Sequence, residues 1–298
     1  MGVREPIRRH GAALRALLVL TAMLGAGYPA LVWVVAQAPG LHERAEGSLV
    51  TGPGGRPVAS ALIGQSFTDA AGGPLPQYFQ GRPSGAGYDA LVSGASNLGP
   101  ESIVDAPGRP SLLSQVCARS VAVAEAEGLD AGAGARPFCT ASGKGAVLAV
   151  FGPRDRSGTV AHPARVVSVN DACFLGSEPF LTSYHGVRVD CARPGEDYSA
   201  GQIVPIRGTA PAHPRIPADA VTASASGLDP DISPDYADLQ VYRVAKARGI
   251  GADQVRAVVR AHQSGRLLGF LGEPHVNVVA VNLELDHKYP VAGCCAGG

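Results

Sequence analysis

The residue types of a phosphate loop occur once, in Ser142-Gly143-Lys144-Gly145, where backbone N–H groups could cradle an anion that a lysine neutralises. The spacing fails, because Phe138 stands where the leading glycine belongs and Gly145 where a metal-binding hydroxyl is required. Asp229, Asp231, Ser233 and Asp235 alternate like the start of a calcium loop. Pro234 takes the place of the turn glycine and Gln240 that of the bidentate glutamate, so helix capping explains these acids better. Ser93, Ser96, Ser224 and Ser226 sit in no G-x-S-x-G frame, and the eight histidines show no H-E-x-x-H pair. A tethered serine hydrolase using Ser96 or Ser226, or a ligand-binding module, is the alternative class, without a base at readable spacing.

Thiol chemistry points to location instead. The six cysteines (Cys117, Cys139, Cys173, Cys191, Cys294, Cys295) lack the C-x-x-C spacing of a zinc site, so disulfides in an oxidising compartment are the expectation. Cys117, Cys139, Cys173 and Cys191 allow three pairings, and Cys173–Cys191 is preferred because it closes the shortest loop. All six follow an apolar run. Arg4, Arg8, Arg9 and Arg15 precede a stretch from Ala16 to Leu41 with no charged residue. As a helix its centre would span about 30 Å, enough for a bilayer core. A cleaved signal peptide is disfavoured because apolar residues resume after Pro29, from Ala30 to Val35. The arginines place the N-terminus in the cytoplasm and the remaining chain outside. Net charge is zero and no basic stripe interleaves with aromatics, which argues against nucleic acid.

The elements that must position any site are unevenly written. Hydrophobic residues make up 46% but aromatics only 5%, and 39 Gly with 24 Pro imply many turns. Val58 to Phe67 reads as a strand or extended segment, Thr68 to Pro100 as an ordered loop, and Leu112 to Glu127 as a helix. Val147 to Phe151, Arg165 to Val169 and Gly186 to Val189 are brief β runs inside a β-rich insertion over 130–213. Ser233-Pro234 opens a helix that Gly249 stops, and Ala252 to Gln263 forms a second. Val281, Leu283 and Leu285 alternate with polar residues and predict a half-buried strand. A flexible tail is expected over 288–298. The fold class is therefore α+β: residues 1–15 cytoplasmic, a transmembrane helix over 16–37, then an extracytoplasmic mixed α/β domain over 41–129 and 214–287 around the insertion.

Two polar, glycine-punctuated stretches carry no catalytic logic. One runs from Ala61-Leu62-Ile63-Gly64-Gln65-Ser66-Phe67 through Tyr78-Phe79-Gln80-Gly81-Arg82-Pro83-Ser84 to Ser93-Gly94-Ala95-Ser96-Asn97-Leu98-Gly99-Pro100. The other is Val221-Thr222-Ala223-Ser224-Ala225-Ser226-Gly227-Leu228-Asp229-Pro230-Asp231-Ile232-Ser233-Pro234. Small residues there let two backbones approach and build a rigid face for a partner. In order and spacing these runs, with Arg243 to Arg248 and Val276 to Asp286, resemble the motifs of the KdpC family. The likeness covers about residues 12–104 and 216–287, omits 130–213, and departs mildly at Ala95, where glycine is usual.

That resemblance implies an accessory subunit of an ATP-driven, high-affinity potassium importer, not an enzyme by itself. The implied partners are a channel-like subunit, an ATP-hydrolysing subunit, a small single-helix subunit and the lipid bilayer. No cofactor is expected on this chain, ATP and K+ being handled by the complex. The motif residues expected at an interface are Gln65, Phe67, Arg82, Pro83, Ser84, Ser93, Gly94, Ser96, Asn97, Leu98, Thr222, Ser224, Ser226, Gly227, Leu228, Asp229 and Ile232. The family is also described as a chaperone that raises ATP affinity, with the counterpart of Gln65 implicated. Under the topology above Gln65 lies outside, away from ATP, which favours capping of the outer potassium entrance.

Overall fold

A computed structural model describes residues 4–52, 55–130, 132–171, 173 and 178–291. Contacts divide the chain into two compact units, residues 1–62 and 63–298. In the first, helix α1 (Arg4–Ala22) continues through a π-helical turn, Met23–Gly27, into α2 (Tyr28–Ala36). Proline explains the widened turn: Pro29 has no N–H and its ring crowds the carbonyl four residues back. The Tyr28 N–H accordingly donates to the Met23 carbonyl, five residues earlier. From Arg8 to Ala36 the chain is one 29-residue helical run, none of it buried, with an 18-residue window of mean hydropathy 1.9, long and apolar enough to cross a bilayer. A short helix α3 (His42–Ala45) and the antiparallel pair β1 (Leu49–Thr51) and β2 (Pro57–Ser60) complete this unit. The strand expected over Val58 to Phe67 is regular only to Ser60, since Gly64 and the polar residues after it are held by other contacts.

In the second unit, no described residue between 69 and 111 lies in a helix or named strand, as expected of an ordered loop. Helix α4 (Leu112–Ala126) starts at Ser111, whose side chain caps the Ser114 N–H. Next come β3 (Val147–Phe151), β4 (Arg165–Ser168), β5 (Ser183–Tyr184), β6 (Val187–Cys191) and β7 (Gln202–Pro205). They form one sheet in the order β5-β6-β4-β3-β7, parallel only between β4 and β6. Leu148, Val150, Val160, Val166 and Val189 give it a core of its own. Disulfides join Cys173 to Cys191 and Cys117 to Cys139, so the preferred pairing is present; Cys294 and Cys295 lie outside the described residues.

The other core is helical. Strand β8 (Asp231–Ile232) precedes α5 (Pro234–Arg248), α6 (Ala252–Ala261), β9 (Gln263–Ser264), β10 (His275–Asn277) and α7 (Val278–Lys288). Strands order as β8-β10-β9, and the helices bury Val241, Val244, Val255, Val258, Val281 and Leu285 with Phe79 and Val221. Ser233 accepts from the Tyr236 N–H and Gly249 closes α5 at φ 67°, as its sequence signals require. The strand expected at Val281 to Leu285 is instead α7. Its buried set, Val278, Val279, Val281, Asn282 and Leu285, follows helical spacing, and Asn277 caps the Ala280 N–H. Alternation misled because Asn282, polar but wholly buried, counted as outward. The ordered chain also passes position 288, since Tyr289 packs on the helical core and its carbonyl accepts from Arg248.

Candidate functional site

Within the second unit the two motif stretches are laid side by side and bonded backbone to backbone. The Gly64 N–H donates to the Leu228 carbonyl at 2.8 Å, and the Gly94 N–H to that of Ser226 at 2.9 Å. A Cβ at Gly64 would strike the Tyr88 ring and lie 2.8 Å from the Asp229 carbonyl oxygen. Gly227 has φ 69°, and a Cβ there would lie 2.7 Å from the Gly94 carbonyl oxygen. Closeness of the chains demands both glycines, and at Gly227 the left-handed backbone demands one as well.

Side chains reinforce the seam, each directed at backbone. Ser84 Oγ donates to the Gly227 carbonyl at 2.6 Å and accepts from the Ala86 and Tyr88 N–H groups. Ser93 Oγ donates to the Ser226 carbonyl, and Arg82 reaches the Thr222 carbonyl while pairing with Asp229 at 3.0 Å. Asp229, Ser226 and buried Ser224 accept from the N–H groups of Asp231, Leu228 and Gly227, holding tight turns. The Tyr88 hydroxyl donates to the Arg82 carbonyl at 2.6 Å. Burial, with the Asp229 charge adding to it, pushes that phenol up to about 12, so it remains a donor. Thr222 caps back to Ala218, Ile232 is buried in β8, and Phe67 stacks 5.3 Å from Tyr78. Pro83 and Leu98 are half-buried; Ser96 and Asn97 are exposed, Asn97 at φ 52°, a conformation asparagine tolerates. Gln65 lines a shallow open recess of about 230 Å³ with Phe67, Gln80, Arg82, Ser84 and Tyr88.

Four further residues hold this seam on the helices. Gln240 of α5 and Asn282 of α7, both fully buried, act as side-chain strands. Asn282 accepts from the Phe79 N–H at 2.8 Å and donates to its carbonyl at 2.9 Å; Gln240 does the same for Gln80 at 2.7 and 3.1 Å. Arg243 donates to the Pro76 and Tyr78 carbonyls, to Gln240 and to Glu127. Arg248, its side chain fully enclosed, bonds Gln77, Asp286 and Tyr289 and lies over the Tyr78 ring. The sequence carried no signal for the first two: Asn282 reads as an outward residue of a strand and Gln240 as a surface amide. For the arginines the signal was the resemblance of their own run.

Glu127 is buried beside Arg243, with Oε2 unpartnered among the described residues. Burial raises its carboxyl above the ordinary 4.5, against the pull of the Arg243 charge and hydrogen bond. The folded state therefore binds the proton more tightly than the unfolded chain. This group's contribution is greatest in acid and is lost as pH rises from 4.5 through the raised value. Relative to Glu127→Gln, the wild-type chain should lose up to about 1.4 kcal/mol of stability per pH unit across that window. Urea unfolding of both proteins between pH 4 and 7 checks this; parallel pH profiles would refute it.

These residues fall within the part of the chain that matches known proteins. The family described as "KdpC: K+-transporting ATPase, c chain" matches residues 10–145 and 200–287. The chain belongs to the KdpC family. A "Potassium-transporting ATPase KdpC subunit" of Sorangium cellulosum is 36% identical over 277 residues, covering 92% of this chain and 95% of that one. Proteins of the same description from Kineococcus radiotolerans (35% over 286 residues, 95% and 96% covered) and Geobacter sulfurreducens (32% over 281 residues, 93% and 97%) are also similar. The KdpC match spans the apolar helix, both motif stretches and α4 to α7, and leaves out 146–199, which hold β3 to β6.

Proposed function

We propose that the chain is the accessory C subunit of an ATP-driven potassium importer and has no catalytic turnover of its own. The observation that carries this reading is the seam: Ser84, Ser93, Ser224, Ser226 and Arg82 direct their polar atoms at local backbone, making a stiff surface out of residues that could otherwise do chemistry. Such a surface suits docking against a channel-like subunit and capping the outer potassium entrance. The apolar helix anchors the chain in the cell membrane with the N-terminus cytoplasmic and the folded domain outside. The ATP-hydrolysing and small single-helix subunits complete the complex, and ATP and K+ are handled there, with no cofactor on this chain. A role of Gln65 in ATP affinity is the weaker reading, because this topology separates it from cytoplasmic ATP. Deleting the chain should abolish growth at low external potassium, and the purified chain should co-elute with large membrane subunits. Steady ATP hydrolysis by the isolated chain would sink the reading.

Residues 146–199, which the family match leaves out, act as a surface module that the assembly does not need. Val147 and Pro205 are antiparallel partners on β3 and β7, so their ends can be rejoined by a two-residue turn. Excising 148–204 across an Asn-Gly link removes the second core and the Asn170 bonds to Ile103, Asp105 and Gly145. Complex assembly and potassium uptake should persist. A shortened chain that folds but no longer co-elutes would place the sheet in the interface.

A further inference from the structure

Four exposed apolar residues of the second unit lie at the tip of the β9–β10 hairpin. Leu267, Leu268, Phe270 and Leu271 are 65, 79, 74 and 56% exposed. No charge interrupts them, and the ion pair Arg266–Glu273 stands at their base. Four large side chains so disposed offer on the order of a few hundred Å² of contiguous apolar surface, the size that marks an interaction site. The tip is also stiff. Leu267 and Leu271 exchange N–H···O bonds at 2.8 and 2.9 Å, and the Gly269 N–H donates to the Arg266 carbonyl. Leu268 sits at φ 55°, a region that a bulky residue adopts at a cost, and its exposed side chain recovers little of that cost within the chain.

We propose that this tip is a preformed knob that enters an apolar recess on a membrane-embedded subunit of the same ATPase. The inference rests on the accessory-subunit reading above and adds a second contact to it. Two observations choose a protein over lipid. A fluid bilayer does not reward one fixed side-chain geometry, whereas a packed recess does, and the left-handed Leu268 fixes that geometry. The chain already carries one helix long and apolar enough to cross a bilayer, so a lipid wedge adds little. The tip also lies in residues 200–287, which the family match includes, and not in the unmatched sheet.

The test uses the full chain expressed with its complex. Leu268→Ser/Phe270→Ser should leave the unfolding midpoint unchanged, because both side chains are exposed, and should lower recovery of the large subunits at least tenfold. A second readout does not depend on that variant folding. The chain has one tryptophan, Trp33, so Trp33→Phe/Phe270→Trp, read as the difference from the complex carrying Trp33→Phe alone, places a reporter at the tip. Its emission should shift to the blue on assembly and resist quenching by brominated lipids. If wild type co-elutes and the double serine variant does so equally, the knob falls while the accessory-subunit reading stands. Quenching by brominated lipid assigns the tip to the bilayer and overturns the proposal. Failure of the wild type to co-elute removes both.

Discussion

Asn282→Leu should destabilise the second unit by about 3–5 kcal/mol, enough to unfold most marginal domains. The side chain is fully buried and supplies both partners of Phe79, whose own residue is 1% exposed. Leucine leaves a buried N–H and a buried C=O unpaired, at about 1–3 kcal/mol each. Asn282→Asp keeps the acceptor and loses the donor, so its loss should be smaller at low pH, where the carboxyl is protonated. Equilibrium unfolding of the three proteins measures the difference. A Leu variant within about 0.5 kcal/mol of wild type would mean that Phe79 is not held from α7.

Gly227→Val should cost about 2–5 kcal/mol and uncouple the two motif stretches. A β-branched residue at φ 69° is strained by about 1–2 kcal/mol, and its Cβ would overlap the Gly94 carbonyl and Ala86. The seam must then open or the turn at 224–227 must invert. Gly94→Ala is the matched control, because a Cβ there meets nothing within 4 Å. That variant should fold normally. Amide exchange should show faster opening of 82–97 in the valine variant only, and equal protection in both would count against the seam as a single unit.

Much of the helical core was legible because its signals are local. Ser233-Pro234 and Gly249 bound α5, and Val255, Val258 and Val259 face inward on α6 as their spacing requires. The disulfide Cys173–Cys191 followed from loop length. What could not be read depends on partners far along the chain. Gln240 and Asn282 look like surface amides until Gln80 and Phe79 are laid against them, and Val281 to Leu285 reads as a strand only while Asn282 is taken as outward. The motif residues were found through family likeness. Their spacing alone left open whether they served turns or a partner, and their geometry serves turns first.

The seam also sets the order in which the molecule can be made. Residues 63–100 leave the ribosome, and under the outward topology cross the membrane, before their partners in the second motif stretch and on the helices exist. Thr222 follows Arg82 by 140 residues, and Asn282 follows Phe79 by 203. The five-stranded sheet, whose partners all fall between 147 and 205, can close in the interval. The first motif stretch must therefore wait for its seam partners until 222–229 has emerged, and for the clasp on Phe79 until α7 has. A truncation before Asn277 would forfeit the Asn282 clasp on Phe79, even though it removes neither motif stretch.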